Sequence, residues 1–177
     1  MGPPNAAAGV LTLDLAALAQ NWRSLAQRVA PARCGAVIKA NAYGIGIEAA
    51  APALYRAGCR VFFVAHAGEG KRARAALDLA RGVTIYVLNG LEENADPHVD
   101  YLAPGLSPVI GSPAEAERWM TLAADLATPL PYAIHVDTGM NRLGFANADE
   151  ALAPKAACAS SALAKPSRFM PVSTWMA

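Results

Sequence analysis

Cysteine is scarce in this chain and poorly spaced. Cys34, Cys59 and Cys158 are odd in number, show no C-x-x-C pattern and have no histidine partner at metal-ligand spacing. That argues against a disulfide framework and a zinc site, and a reducing cytoplasm fits such usage. An excess of one charge is missing too: 15 Lys and Arg against 14 Asp and Glu leave a formal charge of +1. No basic block is present that could neutralise a run of phosphates or hold an anionic membrane, so neither nucleic acid nor membrane is an expected partner. Long apolar runs are also absent. The opening MGPPNAAAGVLTLDL has no basic n-region, and Asp14 interrupts its apolar stretch before a signal segment could form. The expectation is a soluble, cytoplasmic protein.

What the chain does have is core-forming material in a regular order. With 177 residues and 54% hydrophobic content it can bury a core, most simply as one domain. Apolar runs of strand length occur at 34–39, 60–65, 83–88, 107–110 and 132–136, separated by segments with apolar residues at helical spacing. Nearly continuous apolar strands suit a parallel sheet buried on both faces, and the regular repeat points to a (β/α)₈ barrel with its chemistry at the C-terminal strand ends.

The intervening segments carry helix signals. Asp14 is placed to cap a helix with Leu15, Leu18, Trp22, Leu25 and Val29 on one stripe and Pro31 at its end. Ser112-Pro113-Ala114-Glu115 reads as a capping box ahead of Trp119, Met120, Ala123 and Leu126. A further helix is expected over 69–81, closed by Gly82, whereas Pro52 disturbs the segment after Gly46. A full barrel needs about 250 residues. Five strand units fall short of that, and the Ala-, Ser- and Pro-rich residues 146–177 show no convincing strand pattern after 136.

Two stretches concentrate polar chemistry. In AVIKANAYGIG, residues 36–46, Lys39 emerges at the end of the first strand, where an uncharged amine is a nucleophile for a carbonyl. Tyr43 offers a hydroxyl on the same rim, and Gly44 and Gly46 permit unusual dihedrals and close approach to a phosphate. From spacing alone, a lysine that ends a strand and reaches for water is the commoner case. In HVDTGMNRLGF, residues 135–145, Arg142 presents a planar fork suited to a carboxylate or phenolate, with Asp137, Thr138 and Asn141 positioned to orient it. A lone arginine in a polar loop is more often a solvated charge. The D-T-G triplet is also an aspartic-protease turn, but that chemistry needs two aspartates in an all-β fold.

Taken in order, LTLDLAALAQNWRSL, AVIKANAYGIG, AGCRVFFVAHAGEGKRAR and HVDTGMNRLGF resemble the alanine racemase family from about Val10 to Phe145. The resemblance implies a pyridoxal 5'-phosphate enzyme built from an N-terminal α/β barrel and a C-terminal β domain, working on alanine as a homodimer. It implies that Lys39 holds the cofactor covalently and exchanges a proton with the substrate. Tyr43 would contact the cofactor phosphate, and Arg142 the phenolic oxygen and substrate carboxylate. His135 stands where many members have a lysine supporting that arginine, and Ile45 replaces a common histidine.

The expected architecture is therefore an incomplete PLP-binding TIM-like barrel over 1–145, about five βα units without the β domain. Residues 146–177 are expected to be an irregular tail, read as arising from a shifted frame. Without the family's second half, this chain is expected to racemise alanine poorly or not at all. The competing readings are a non-catalytic PLP-binding protein of cofactor homeostasis on the same barrel, and a scaffold in which Lys39 and Arg142 do no chemistry.

Overall fold

A computed structural model of the chain describes residues 9–78 and 80–152 and the backbone of Arg168 and Phe169. Six parallel strands form one sheet in the order of the chain: β1 (Ala36–Val37), β2 (Val61–Val64), β3 (Thr84–Val87), β4 (Leu106–Ile110), β5 (Ala133–Ile134) and β6 (Arg168–Phe169). Neighbours pair in even register, Val37 with Phe63, Phe63 with Tyr86 and Val109 with Ala133. Consecutive parallel pairing through helical crossovers is the repeat the sequence predicts, and it makes this chain a portion of an α/β barrel.

Strand alternation divides the core into two layers. Val61, Phe63, Tyr86, Val109 and Ala133, with Val37 and Leu88 against them, form one cluster, in which Phe63 and Tyr86 stack with centroids 5.4 Å apart. The intervening residues, among them Ala36, Ile38, Phe62, Val64, Ile85, Val87 and Ile110, join the larger cluster beneath the helices. The first set is the inner layer of the barrel wall. The same phase, carried past Ile134, puts His135 on the inner side; Ile38 leaves the extended region at ψ 22°, and Lys39 follows it at the C-terminal end of β1.

The helices form largely where signals exist, with instructive differences. Helix α1 (Leu15–Arg28) is capped by Asp14, whose Oδ1 accepts from the N–H groups of Ala16 and Ala17, both at 2.9 Å. Its expected stripe is covered only at one end: Leu18 and Trp22 pack on the core, whereas Leu25 and Val29 are exposed. The short turn α2 (Lys39–Tyr43) is followed by α3 (Ile47–Ala57), which runs through Pro52 without interruption. A proline in mid-helix removes one donor; five buried residues, Ile47, Ala50, Ala51, Ala53 and Leu54, outweigh that loss.

Helix α4 spans Ala67–Ala76, shorter than the expected 69–81, and Gly82 lies beyond its end with φ +66°. A π-helical turn follows at His98–Leu102. Helix α5 (Pro113–Asp125) takes its cap from Ser112, but Glu115 does not return to the cap's own N–H; it accepts from Gly111 and Leu91. Strand structure also continues past residue 136, against expectation: Val136 bridges to Phe145, and β6 pairs with β5. Pairs this short carry no periodicity that a sequence reading can detect. Within the expected tail, residues 148–152 are helical and Ala151 is buried in the larger cluster; apart from β6, residues 153–177 lie outside the described residues.

Candidate active site

Lys39 stands where β1 ends, and the chain around it takes an unusual course. Ile38 still donates to the carbonyl of Phe63 at 2.8 Å, as a strand residue would. Ala40, Asn41, Ala42 and Tyr43 then all have φ between +51° and +54°, a left-handed turn closed by Gly44 at φ +89°. Each non-glycine residue in that region costs about 1–2 kcal/mol. Such strain persists where the surroundings over-determine it, typically at functional sites. Gly46 adds φ +99°, and a side chain at either glycine would meet only open space. Their role is thus conformational, leaving an accessible backbone on the rim.

Several groups hold this turn. Glu69, in the first turn of α4, accepts from the N–H of Asn41 through Oε1 (3.1 Å) and from that of Ala65 through Oε2 (2.9 Å). Burial opposes its ionisation, but the N–H groups of Ala65, Asn41, His66 and Ala40 outweigh burial and hold its carboxyl below the usual range. The Asn41 side-chain oxygen accepts from Ile47 N–H (3.2 Å) and Arg72 Nη2 (2.8 Å), while Arg72 grips Glu48 with Nε and Nη2 at 2.8 and 2.9 Å. Lys39 itself, half-buried, has no hydrogen-bond or ion-pair partner among the described residues. Tyr43 is 63% exposed, leaving its hydroxyl free to meet a ligand.

Arg142 lies on a second loop, after β5. His135 donates its N–H to Ile110, and Phe145 returns to the His135 carbonyl at 2.9 Å, closing a loop over 136–144. Asp137 does not orient Arg142, contrary to the sequence expectation. Both its oxygens are spent on backbone N–H groups, Oδ1 on Gly139 and Met140 and Oδ2 on Asn141, which lower its pKa. Asn141 turns its amide to the Gly139 carbonyl. Main-chain donors two to four residues away outcompete a flexible guanidinium for a short carboxylate. Arg142 is consequently exposed and unpaired among the described residues. Burial pushes the His135 imidazole down, Asp137 pulls it up, and Arg142 pushes it down again, which places histidine and arginine in one electrostatic group.

The expected site residues thus fall into two groups on the C-terminal rim, Lys39 with Tyr43 and His135 with Arg142, with no hydrogen bond or ion pair joining them. Sequence reasoning missed the acidic residues between. Glu69 ties the β1 and β2 ends together. Glu92 accepts from Ala67 N–H at 2.8 Å, tying the loops after β2 and β3, and Glu115 accepts from Leu91 and Gly111 at 3.1 and 2.8 Å, tying those after β3 and β4. The available signal was one glutamate per βα repeat, at positions 69, 92 and 115, each just past a strand.

A parallel βα-repeat wall with an unpartnered amine, a phenol and a guanidinium on its C-terminal rim defines a barrel suited to binding a carbonyl-bearing anion. Residues 13–170 match the family model "Alanine racemase, N-terminal domain", and the chain belongs to that family. It is 57% identical over 143 residues to an alanine racemase of Methylobacterium sp. (strain 4-46), covering 81% of this chain and 38% of that protein. An alanine racemase of Brucella ovis is 46% identical over 140 residues, covering 79% and 34%.

Among solved structures, the alanine racemase of Bartonella henselae with covalently bound pyridoxal phosphate superposes with a TM-score of 0.70 at 44% identity, covering 77% of this chain and 37% of that one. That of Streptomyces coelicolor A3(2) gives 0.75 at 26% identity, covering 88% and 41%. The chain therefore spans less than two fifths of the length of the Methylobacterium and Brucella relatives. No helix among the described residues is long and apolar enough to cross a membrane.

Proposed function

We propose that this chain supplies the lysine-bearing part of a pyridoxal-phosphate-dependent enzyme that interconverts L- and D-alanine, in the cytoplasm and as a homodimer. The observation carrying this reading is Lys39: an amine without a partner among the described residues, half-buried at the end of β1, presented by a strained left-handed turn. The residues present fit the cofactor. Its aldehyde needs a free amine, its phosphate needs the Tyr43 hydroxyl and the open backbone of Gly44–Gly46, and its phenolic oxygen needs a cation such as Arg142.

When bound, the cofactor withdraws electrons from the substrate Cα and acidifies its hydrogen. Lys39 would hold the cofactor and would take and return a proton on one face of the substrate Cα. Arg142, unspent on Asp137, binds the substrate carboxylate, and neutral His135 beside it adds no competing positive charge. The opposite face needs a second acid or base, and we assign none of the described residues to it.

Adding the cofactor, reducing with borohydride and mapping the modified peptide tests this. Label on Lys39, lost in Lys39→Ala, is the expected result, and label confined to other lysines would overturn the reading. Exchange of the alanine Cα hydrogen in deuterated water then separates a racemase portion, in which it occurs, from a cofactor-holding protein that labels at Lys39 without exchanging. Residues 146–177 we propose to be a tail of frame-shifted origin, on the strength of composition, even though 148–152 are helical and Arg168–Phe169 pair with β5; translating the adjoining nucleotide frames tests that origin.

A further inference from the structure

The left-handed turn after Lys39 is held from outside, by two side chains of opposite charge one helical turn apart on α4. Glu69 takes the Asn41 N–H and Arg72 donates to the Asn41 side-chain oxygen, so α4 grips both polarities of one residue, two positions beyond the lysine. The same Glu69 carboxylate holds Ala65 at the end of β2, so the grip is referenced to the sheet. Arg72 is in turn fixed by Glu48 in the first turn of α3. Inside the turn, Gly44 and Gly46 reach back to carbonyls of Ala40 and Asn41, local bonds that leave four residues in a disfavoured hand.

We propose that Glu69 and Arg72 form a positioning clamp that keeps Lys39 aimed into the barrel mouth, so that its amine reacts with the cofactor aldehyde. The clamp rests on the reading of Lys39 as the cofactor lysine. It acts through Asn41 and touches neither cofactor nor substrate. Releasing Asn41 lets residues 40–43 return to the right-handed region, which rotates Lys39 away from the barrel mouth. The other bridges, Glu92 and Glu115, repeat the carboxylate half of the device further round the rim; Arg118, one turn after Glu115, donates to the Glu93 carbonyl at 3.4 Å, but neither bridge has a run of left-handed non-glycine residues to hold.

The test compares Glu69→Gln with Glu92→Gln in the full chain, by two readouts. Without cofactor, amide hydrogen exchange is followed over 39–47. With cofactor, the rate of borohydride-trappable label at Lys39 is measured. Glu69→Gln is expected to speed exchange in that turn and to slow labelling by up to about a hundredfold, the order of loss that a ~1 Å misplacement of a reacting group brings. Glu92→Gln should loosen the loops after β2 and β3 and leave both readouts at Lys39 as in the wild type. Faster exchange with unchanged labelling would overturn the clamp by reducing Glu69 to a merely structural role, and no change in either would overturn it outright. If Glu69→Gln does not fold, Arg72→Met, an exposed position that removes the other grip, is read by the same criteria. Should the wild type itself not label at Lys39, the cofactor reading fails, while the exchange arm still decides whether Glu69 holds the turn.

Discussion

His135 couples the second loop to pH. Burial holds its imidazole below the ordinary value of 6.5, so the folded chain binds its proton less readily than the unfolded chain. Stability from this group is complete above about 6.5 and is lost as pH falls through the lower folded-state value. The melting temperature of the wild type is expected to begin falling just below pH 6.5, and His135→Gln to flatten that part of the curve; identical profiles would remove His135 as the cause. Gly144 offers a test of the loop's shape. Its φ is +107°, and a Cβ there would lie 2.9 Å from the Asp137 nitrogen and from His135 Cδ2. Gly144→Ala should therefore destabilise the chain by about 1–3 kcal/mol in denaturant titrations, the usual cost of a strained backbone position. The places of Lys39 and Tyr43 after β1 and of Arg142 after β5 were legible because apolar runs mark the strands, whereas their roles came from the family resemblance and stand as proposals. The partners of Asp137 and the role of Glu69 were not legible, because both are set by backbone N–H groups, which a string of side chains does not display.

At the level of elements, hydrophobic runs were the most readable feature. All five expected strands form, since the inner and outer phases are both apolar and only length and flanking turns had to be judged. Helix ends were less readable. Gly82 looked like the stop of α4, yet the helix ends at Ala76, where Leu77 caps it and finishes the buried stripe through Ala73, and Ala80 and Val83 pack on the core from non-helical backbone. Where caps and burial agree, the reading was sound, and α5 is the case to test. Ser112 accepts from Glu115 N–H, and Trp119 is 2% exposed with its ring edge-on to Tyr101 at 6.0 Å. Ser112→Ala should cost about 1 kcal/mol. Trp119→Ala should cost about 3–5 kcal/mol by cavity formation. Measured by chemical denaturation, a larger loss from the cap than from the ring would contradict this division between local and packing terms.

At the scale of the molecule, the decisive feature is that the sheet formed by the described residues ends on both sides. Among the described residues β1 pairs only with β2, and β6 only with β5, so each end strand has one side without a partner strand. Parallel sheets are stable when both faces are covered and edges are closed or blunted. Here the strands themselves are well buried, but Ala36 and Val37 carry no charge, proline or bulge that would discourage a new neighbour. The inner layer adds to this: Phe63 and Tyr86 stack on a wall that two further βα units would face in a closed eight-stranded barrel. A chain of these 177 residues is thus expected to associate through its edges, and sedimentation over a range of concentrations should show mass rising above the monomer. Placing a lysine at Val37 on the β1 edge should lower that association, provided circular dichroism shows the helices intact. A monomer at every concentration with one cooperative melt would mean the open edges are satisfied within the chain, and residues outside the described portion would then be the place to look for what covers them.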